Sequence, residues 1–401
     1  MEPLSLEEST RILQEHCTSV TETEICSLND VIGRILAQDV TAGHEQPPFP
    51  RSPLDGYAVR SEDIAGAGKE TPVKLKVIDE VTAGHVSGKY VESGTAVRIM
   101  TGAPIPDGAD CIVKQEDTDY GADYVEIYRS VRAWGNYCFA GEDYKKGTVL
   151  LKEGMILGAV EIGVLSSLGL TEVAVYRRPK VMVLTTGDEV VLPGKPLGPG
   201  QIYDSNLIIL SSRMKQWDME VVYAGQSEDE PEATAELIRR YIQDVDLVVT
   251  TGGVSVGKKD IIHDVFKILP CRQLFWKVAI KPGMPTLCGM YQDKLLICLS
   301  GNPYGAVANL ELLVRPVLAK MTGRDDLELS RREAVLENSY LKRSPTTRYL
   351  RAHYQDGRVR IAAGSNDSGI LSSMCGCNCM IEIPAGTEQL LEGDRVCVVL
   401  I

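Results

Sequence analysis

Continuous apolar runs alternate with amphipathic segments between residues 178 and 320. The run Val181 to Leu184 has no polar position, as in a strand that is buried on both faces, and Asp246 to Thr250 and Leu295 to Leu299 resemble it. The pattern also predicts helices at Leu207 to Gln216, Glu232 to Tyr241 and Ile261 to Ile268, and a long helix that follows Pro303 and ends at Lys320. Further strands are predicted at Glu220 to Ala224 and Val278 to Ile280. Alternating strands and helices predict an α/β domain with a doubly wound parallel sheet.

Shorter elements flank this region. Between Val73 and Tyr128, β-like runs alternate with Gly and Pro turns, and a similar pattern returns after Leu327, so we expect a small β domain on either side. Near the amino terminus the pattern predicts a helix capped by Ser5 and a short helix at Leu28 to Leu36. A further helix is predicted at Ala159 to Leu168, with Gly169 as its carboxyl-terminal cap. The expected division of the chain is 1–44 with 142–176, 45–141, 177–326 and 327–401.

Length and charge narrow the class of protein. A chain of 401 residues is too long for one compact core. The formal net charge of −13 disfavours nonspecific binding to nucleic acid or to an anionic membrane. Apolar runs are too short to span a bilayer, and the first residues lack the pattern of a secretory signal. We therefore expect a cytoplasmic protein whose eleven cysteines are reduced thiols.

Three predicted strands end in loops that combine hydroxyl groups with glycine. These loops are Thr185 to Glu189, Thr250 to Ser255 and Ser300 to Pro303. Ligands of open parallel sheets bind at the carboxyl ends of the strands, and glycine lets backbone N–H groups approach an anion closely. Each loop alone is also explained by ordinary turn chemistry; three on one edge favour a ligand site.

Basic residues near these loops give two further candidates. The segment Gly252 to Lys259 nearly matches a phosphate-binding loop, but Lys259 stands where a hydroxyl would hold Mg²⁺, which argues against a nucleotide triphosphatase. If a strand covers Lys277 to Lys281, both ammonium groups point to one face and could clamp an anion. A solvated strand face is the alternative interpretation of this pair.

Acidic loop residues are candidates for binding Mg²⁺, which prefers oxygen ligands, although most loop aspartates only form turns. They are Asp55, Asp143, Asp188, Glu189, Asp204, Asp229 and Asp260. The cysteines at 375, 377 and 379 lack the paired spacing of a structural zinc site, and we interpret them as ordinary buried or turn residues. The five histidines are isolated and predict no catalytic triad.

Taken together, the motifs resemble those of the molybdopterin molybdenumtransferase family, which includes the bacterial MoeA enzymes and the E domain of gephyrin. The resemblance covers essentially the whole chain and rests on eight strings in the order found in the family. They are Pro47-Pro48-Phe49 through Asp55-Gly56-Tyr57-Ala58-Val59, Arg98 to Pro104, Gly141-Glu142-Asp143, Thr186 to Glu189, Gly200 to Asn206, Thr251 to Gly257, Phe275-Trp276-Lys277 through Pro282-Gly283, and Gly301-Asn302-Pro303.

The resemblance implies an enzyme that inserts molybdenum from molybdate into adenylylated molybdopterin with Mg²⁺, releasing AMP and the finished cofactor. It implies an elongated chain in which 177–326 binds molybdopterin, 1–44 with 142–176 forms a linking domain, and a molybdopterin adenylyltransferase acts upstream. It also implies a homodimer with an active site shared between subunits. The implied catalytic residues are Asp188, Glu189, Asp55 and Asp143; the substrate-binding residues are Thr101, Gly252, Gly253, Ser255, Lys277, Lys281, Pro303 and Ser373; and the metal ligands are Asp229 and Asp260.

Some positions depart from the family pattern. The family usually has other residues at the positions of Arg51, Leu54, Ser300 and the pair Tyr304-Gly305, which affects the expected shape of the cofactor end of the pocket. Met284 replaces a frequent lysine and so removes one basic residue from the expected clamp. Two other functions remain as alternatives: a noncatalytic scaffold, as in gephyrin, and a nucleotide or phosphate hydrolase that uses Gly252 to Lys258. The retained carboxylates and lysines argue against the scaffold, and Lys259 argues against the hydrolase.

Overall fold

The computed structural model describes residues 2–254 and 261–401. In this part of the chain the helices are α1 (Leu6–Glu15), α2 (Ala159–Ser167), α3 (Asn206–Gln216), α4 (Pro231–Tyr241), α5 (Ile261–Ile268), α6 (Pro303–Asn309) and α7 (Arg315–Thr322). The strands are β1 (Thr23–Ser27), β2 (Val40–Thr41), β3 (Gly56–Val59), β4 (Val73–Val81), β5 (Thr95–Ile99), β6 (Cys111–Lys114), β7 (Tyr124–Ile127), β8 (Val149–Leu151), β9 (Glu172–Tyr176), β10 (Lys180–Thr186), β11 (Val190–Val191), β12 (Ile202–Tyr203), β13 (Glu220–Ser227), β14 (Leu247–Thr251), β15 (Arg272–Trp276), β16 (Ile280–Lys281), β17 (Leu287–Tyr291), β18 (Lys294–Leu299), β19 (Arg331–Leu336), β20 (Thr347–Gln355), β21 (Arg358–Ile361), β22 (Cys379–Ile383) and β23 (Arg395–Leu400).

The chain divides into two compact units. One comprises Met1–Ala37, Ile156–Gly158 and Glu172–Ile401, and the other comprises Gln38–Met155 and Ala159–Thr171. No helix in the described part of the chain is both long and apolar enough to cross a bilayer.

The first unit contains the predicted α/β sheet. Its strand order is β13-β10-β14-β18-β17-β15, and β13, β10, β14 and β18 are parallel. Alternate residues of β10 face two different cores: Val181 and Val183 pack with α3, whereas Met182 and Leu184 pack with α4 and α5. Helices therefore cover both faces, which confirms the doubly wound α/β fold class.

The strands on one side of β18 differ from the prediction. Strands β17 and β15 continue it in antiparallel pairing, so the sheet is mixed, and neither strand was predicted. The predicted strand at Val278 to Ile280 is wrong as a member of this sheet, because β16 pairs instead with Thr347 and Arg348 of β20. Short apolar runs carry no signal that distinguishes one sheet from another.

The carboxyl-terminal part of the first unit is a small β barrel. Strands β20, β21, β19, β23 and β22 pair in that order, and β22 pairs back with β20. Apolar residues such as Leu336, Val359, Ile381 and Val398 fill its interior. This confirms the β domain that was predicted after Leu327.

The second unit contains a sheet with strand order β6-β3-β5-β4-β7. The predicted β runs correspond to β4, β5, β6 and β7, and they are confirmed. Strand β3, which lies between β5 and β6 and is buried throughout, was missed because Gly56 and Ala58 weaken its β pattern.

The predicted terminal helices had different outcomes. Helix α1 is confirmed: Ser5 accepts a hydrogen bond from the backbone N–H of Glu8 at 3.1 Å. Helix α2 is confirmed as well, and Gly169 follows it with φ of +76°. The predicted helix at Leu28 to Leu36 is wrong; turns occupy this segment, and Gly33 has φ of +78°.

Candidate functional site

An open cavity of about 640 Å³ lies at the carboxyl ends of β10, β14 and β18, in the first unit. The three predicted loops converge there, as expected for an open parallel sheet. Its lining includes the predicted site residues Glu189, Asp229, Gly252, Gly253 and Pro303, together with Thr185, Thr186, Gly187, Val190, Ile202 to Asn206, Thr251, Val254, Pro285, Ser300 to Asn302 and Gly369.

The loop after β10 presents a carboxylate at the cavity. Glu189 is exposed, and its Oε2 lies 2.9 Å from the position that a Cβ on Gly187 would occupy. The backbone N–H of Asp188 donates to Asp229 Oδ2 at 3.3 Å, which links this loop to the one after β13. Three predicted acidic residues therefore lie together at one edge of the sheet.

The loop after β14 approaches that carboxylate loop closely. Gly252 has φ of +96°, and a Cβ at this position would lie 2.4 Å from the backbone oxygen of Thr186. A Cβ on Gly301 would lie 3.3 Å from Gly252 Cα. Because a side chain would force these loops apart, glycine fixes the width of the cavity floor.

Asn206 joins two of these loops. Its amide Nδ2 donates to Thr251 Oγ1 at 3.1 Å and to the Gly301 carbonyl at 2.8 Å, and Thr251 Oγ1 donates to the Ser300 carbonyl at 2.8 Å. Asn206 was not among the predicted site residues. Its only signal was its position at the end of the string from Gly200 to Asn206.

Asp204, one of the acidic candidates, uses both carboxylate oxygens in hydrogen bonds within the protein. Its side chain is 2% exposed; Oδ2 accepts from Thr185 Oγ1, and Oδ1 accepts from the backbone N–H of Leu207 at 3.0 Å. Both oxygens therefore serve the start of α3 and the end of β10. Asp204 thus belongs to the cavity lining and also holds two of its elements together.

The carboxyl-terminal part of the chain supplies one wall of the cavity. Asn302 Nδ2 donates to Ser368 Oγ at 2.9 Å, the N–H of Tyr304 donates to the Ser368 carbonyl at 2.9 Å, and Gly369 lines the cavity. Pro303 begins α6, where its missing N–H costs no hydrogen bond. No periodicity in this segment had indicated a role in the site.

Arg351 fixes this wall from inside. Its side chain is fully buried, and its guanidinium donates to the carbonyls of Ile370, Ser365 and Asp367 at 2.8, 2.6 and 3.1 Å. The guanidinium also lies over the Tyr304 ring, 4.4 Å from its centroid. A buried cation held by carbonyl dipoles orders the segment from Ser365 to Ile370, and sequence reasoning missed it.

Lys277 and Lys281 do not share a strand face, so that part of the clamp prediction is wrong. Lys277 precedes β16 and has φ of +73°, whereas Lys281 lies within β16 and is exposed. The Lys277 ammonium lies 4.0 Å from the centroid of the Trp276 ring. Neither lysine lines the cavity, although the indole N–H of Trp276 donates to the carbonyl of Val254, which does, at 3.4 Å.

Asp55, Thr101 and Asp143 belong to the second unit. The backbone N–H and the hydroxyl of Thr101 both donate to Asp55 Oδ1 at 2.7 Å, and these bonds lower the pKa of Asp55 below its usual value. Asp143 is exposed, and its N–H donates to the Gln46 carbonyl at 2.9 Å. The ionised form of Asp55 is therefore stabilised by two hydrogen bonds from Thr101.

The remaining predicted residues have separate outcomes. Ser373 does not line the cavity, and its buried hydroxyl has no hydrogen-bond partner within the described ranges. Ser255 and Asp260 lie outside the described residues. Cys375 is exposed and Cys379 is buried, and residues 2–254 and 261–401 contain no group of three or more His, Cys, Asp or Glu side chains placed to hold a metal ion.

Comparison with protein families gives three matches along the chain. The profile described as "MoeA N-terminal region (domain I and II)" matches residues 4–169, "Probable molybdopterin binding domain" matches 182–320, and "MoeA C-terminal region (domain IV)" matches 333–401. The central match covers the sheet that carries the cavity.

Individual relatives agree with these matches. A molybdopterin molybdenumtransferase of Staphylococcus epidermidis is 36% identical over 401 residues, covering 99% of this chain and 96% of the relative. One of Bacillus subtilis is 36% identical over 406 residues, covering 100% and 94%. The crystal structure of a molybdopterin biosynthesis MoeA protein of Pyrococcus horikoshii superposes with a TM-score of 0.86 at 31% identity, covering 100% of this chain and 99% of that one. The chain therefore belongs to the MoeA family of molybdopterin molybdenumtransferases.

Proposed function

We propose that this chain transfers molybdenum from molybdate to adenylylated molybdopterin, with release of AMP, at the cavity on the carboxyl edge of its α/β sheet. Members of its family are enzymes of molybdenum cofactor biosynthesis. The two relatives described above are named molybdopterin molybdenumtransferase, and this chain matches nearly their whole length. The observation that carries the proposal is the convergence of Glu189, Asp229 and the Gly252-Gly253 turn on one cavity.

The walls of this cavity suit an anionic ligand with several polar groups. The glycines at 252, 253 and 301 leave backbone accessible at the ends of β14 and β18. Thr186, which also lines the cavity, has a buried hydroxyl without a hydrogen-bond partner in the described part of the chain. Such a surface suits phosphate, which accepts hydrogen bonds from hydroxyl groups and from backbone N–H groups at helix and loop starts.

Mg²⁺ fits the residues present as part of the bound substrate complex. Magnesium in proteins is commonly held by one or two carboxylates, with phosphate oxygens and water completing its shell. Asp229 and Glu189 supply carboxylate oxygens at the cavity, and we infer that Asp229 is a ligand and that the predicted ligand Asp260 is a second. When bound, the ion would neutralise phosphate charge.

Glu189 is the residue that we assign to the reaction itself. Its carboxylate is exposed at the cavity, and the described residues provide it with no ion pair. A carboxylate with no folding role can orient water or a molybdate oxygen by accepting a proton or a hydrogen bond. Because the chemistry requires little covalent participation from the protein, positioning accounts for most of the catalysis. We propose that Asp188, Asp55 and Asp143 assist in this task.

The direct test is a single-turnover assay of the purified protein with adenylylated molybdopterin, molybdate and Mg²⁺. We expect AMP release that depends on both molybdate and Mg²⁺, together with a product that reconstitutes a cofactor-free molybdoenzyme. AMP release without molybdate would indicate a phosphate hydrolase. A folded protein that binds the pterin but releases no AMP would support the scaffold function.

The role of Lys277 can be tested by binding. Replacing Lys277 with alanine removes a cation, and we expect the affinity for adenylylated molybdopterin to fall by about 1.5 to 3 kcal/mol if the contact is charge-assisted. Isothermal titration calorimetry of the protein with adenylylated molybdopterin measures this change; molybdate is omitted so that no reaction occurs. Lys267→Ala is a suitable control because Lys267 pairs with the exposed Asp264 on α5.

We propose a homodimer whose subunits share each site, with Asp55, Thr101 and Asp143 contributed by the partner. Light scattering of the purified protein tests the oligomeric state. Mixing an inactive Asp55→Asn protein with an inactive Glu189→Gln protein should restore part of the activity through sites that carry neither change. An active monomer would contradict the shared site. An upstream molybdopterin adenylyltransferase and a cytoplasmic location remain predictions.

A further inference from the structure

We infer that Trp276 is a positioning residue for Lys277: the indole ring holds the lysine ammonium beside the glycine loop that follows β14. This inference rests on the proposed function, because Lys277 is a substrate-binding residue only there. The sequence motifs had given Trp276 no role.

The ammonium of Lys277 lies over the indole face. The distance from Nζ to the ring centroid is 4.0 Å, the shortest of the cation–ring contacts in the described chain. Tryptophan is the most favourable partner for such a contact, since its ring has the largest negative face. Both residues are partly buried, so water screens the attraction only in part.

The ring is itself fixed from two other directions. Its N–H donates to the Val254 carbonyl at 3.4 Å, and the His263 ring meets it edge-on with centroids 4.9 Å apart. Val254 lines the cavity, whereas His263 lies on α5. The indole is therefore anchored to the cavity loop on its N–H edge and to a helix on another side.

The backbone of Lys277 is fixed as well, in an uncommon conformation. Its φ is +73°, a region that residues with a Cβ seldom adopt. Its N–H donates to the Thr286 carbonyl at 2.9 Å, and its carbonyl accepts from the N–H of Leu4 at 3.2 Å. With the backbone held on both sides and the ammonium held by the ring, the long lysine side chain retains little freedom before ligand binds.

Restricting Lys277 in advance lowers the entropic cost of ordering it when an anion binds. Removing the indole should therefore weaken binding and leave the chemical step nearly unchanged. We expect Trp276→Leu to raise KM for adenylylated molybdopterin about fivefold, with kcat within twofold of wild type. Trp276→Phe retains a ring and should raise KM less than twofold.

A double-mutant cycle separates action through Lys277 from a general effect on the fold. In a Lys277→Ala protein the ring has no ammonium to hold, so adding Trp276→Leu should change KM by less than 1.5-fold. A fivefold increase in that background would overturn the inference, as would a Trp276→Leu protein with wild-type KM. A Trp276→Phe protein as impaired as Trp276→Leu would do the same.

A spectroscopic signature tests the contact without any substrate. In reductively ¹³C-methylated wild-type protein, we expect an upfield ring-current shift of the Lys277 methyl signal, assigned by its loss in Lys277→Ala. The shift should persist in Trp276→Phe and disappear in Trp276→Leu. An unshifted wild-type signal would overturn the inference whatever the kinetics. A shifted signal in a wild-type protein without transferase activity would instead contradict the proposed function.

Trp217→Phe is the matched control. Trp217 lies under the Arg213 guanidinium at 5.7 Å, in the core on the other face of the sheet, and it does not line the cavity. Its replacement should leave KM and the Lys277 methyl signal unchanged. A change in either would show that tryptophan loss acts through the fold in general and would overturn the specific role of Trp276. Melting curves confirm that each variant is folded.

Discussion

At the amino ends of β10 and β14 the charged side chains are paired, whereas at the carboxyl end of β10 the carboxylate of Glu189 faces a cavity. Asp246, which precedes β14, accepts from Arg177 Nη1 at 2.6 Å and from the backbone N–H of Lys180 at 2.8 Å, and Lys294 Nζ lies 3.7 Å away. Glu189, which follows β10, has no ion pair within the described ranges. One sheet thus carries a structural charge network at one end and, at the other, a cavity lined by the carboxylates of Glu189 and Asp229.

The difference shows how to separate charges that stabilise the fold from charges that serve chemistry. A carboxylate that accepts several hydrogen bonds lowers the energy of the folded state, and its removal leaves donors unsatisfied. A carboxylate without such partners contributes little to folding and can be replaced at small cost in stability. Variants at the two edges should therefore produce opposite patterns in stability and activity.

The largest effect is expected for Glu189→Gln. This isosteric change removes the charge at the carboxyl edge, and we expect AMP release to slow by about 10²-fold or more, with pterin affinity nearly unchanged or slightly higher. Single-turnover kinetics and a melting curve provide the measurements. Glu220→Gln is the control, since Glu220 begins β13 at the opposite edge and is exposed. Equal rates for the two variants would contradict the assignment of Glu189.

Asp246→Ala should show the reverse pattern. The change leaves the N–H of Lys180 without its acceptor and removes one of the two carboxylates that pair with Arg177, and we expect the free energy of unfolding to fall by about 2 kcal/mol. The folded fraction should retain kcat/KM within twofold of wild type. Urea denaturation with activity assays at low denaturant tests both statements. A normal stability would show that the amino-edge network is dispensable.

Gly252→Ala tests the narrow floor of the cavity. Alanine at φ of +96° is strained, and its Cβ would lie 2.4 Å from the Thr186 carbonyl. Gly194→Ala shares the strain, with φ of +94°, but its Cβ would have no neighbour within 4 Å. We expect the free energy of unfolding to fall by about 1 kcal/mol for Gly194→Ala and by about 1 kcal/mol more than that for Gly252→Ala. Equal losses would show that the loops can separate without cost.

The smallest effect concerns pH. Burial raises the pKa of Asp246, but hydrogen bonds from Arg177 and from the N–H of Lys180 outweigh it, so the pKa lies below its usual value. The resulting stability is present above the unfolded pKa of about 4 and is lost as the pH falls through the lower folded value. Asp246→Asn should flatten the decline of unfolding free energy below pH 4. If the free energy of unfolding declined as steeply in the variant as in the wild type, other carboxylates would be responsible for the loss of stability in acid.

The helices and parallel strands of the central domain could be predicted because their patterns are local. Four apolar residues in Val181 to Leu184 require burial on both faces, and Pro231 can begin a helix without losing a hydrogen bond. The antiparallel strands β15 and β17 were missed because their place in the sheet is decided by tertiary packing and not by a local pattern. For the same reason Ile280 was assigned to the wrong sheet.

The fold class, the family and the convergence of three loops at the strand ends could be predicted from the sequence, because apolar periodicity and glycine-rich motifs are patterns of consecutive residues. Only the tertiary structure showed that Asp204 serves a helix start, that Asn206 joins two loops, and that Arg351 orders a distant segment into the cavity wall. Those roles depend on hydrogen bonds between residues far apart in the chain. Such contacts leave no periodic trace in one sequence, so their partners become known only when the chain is folded.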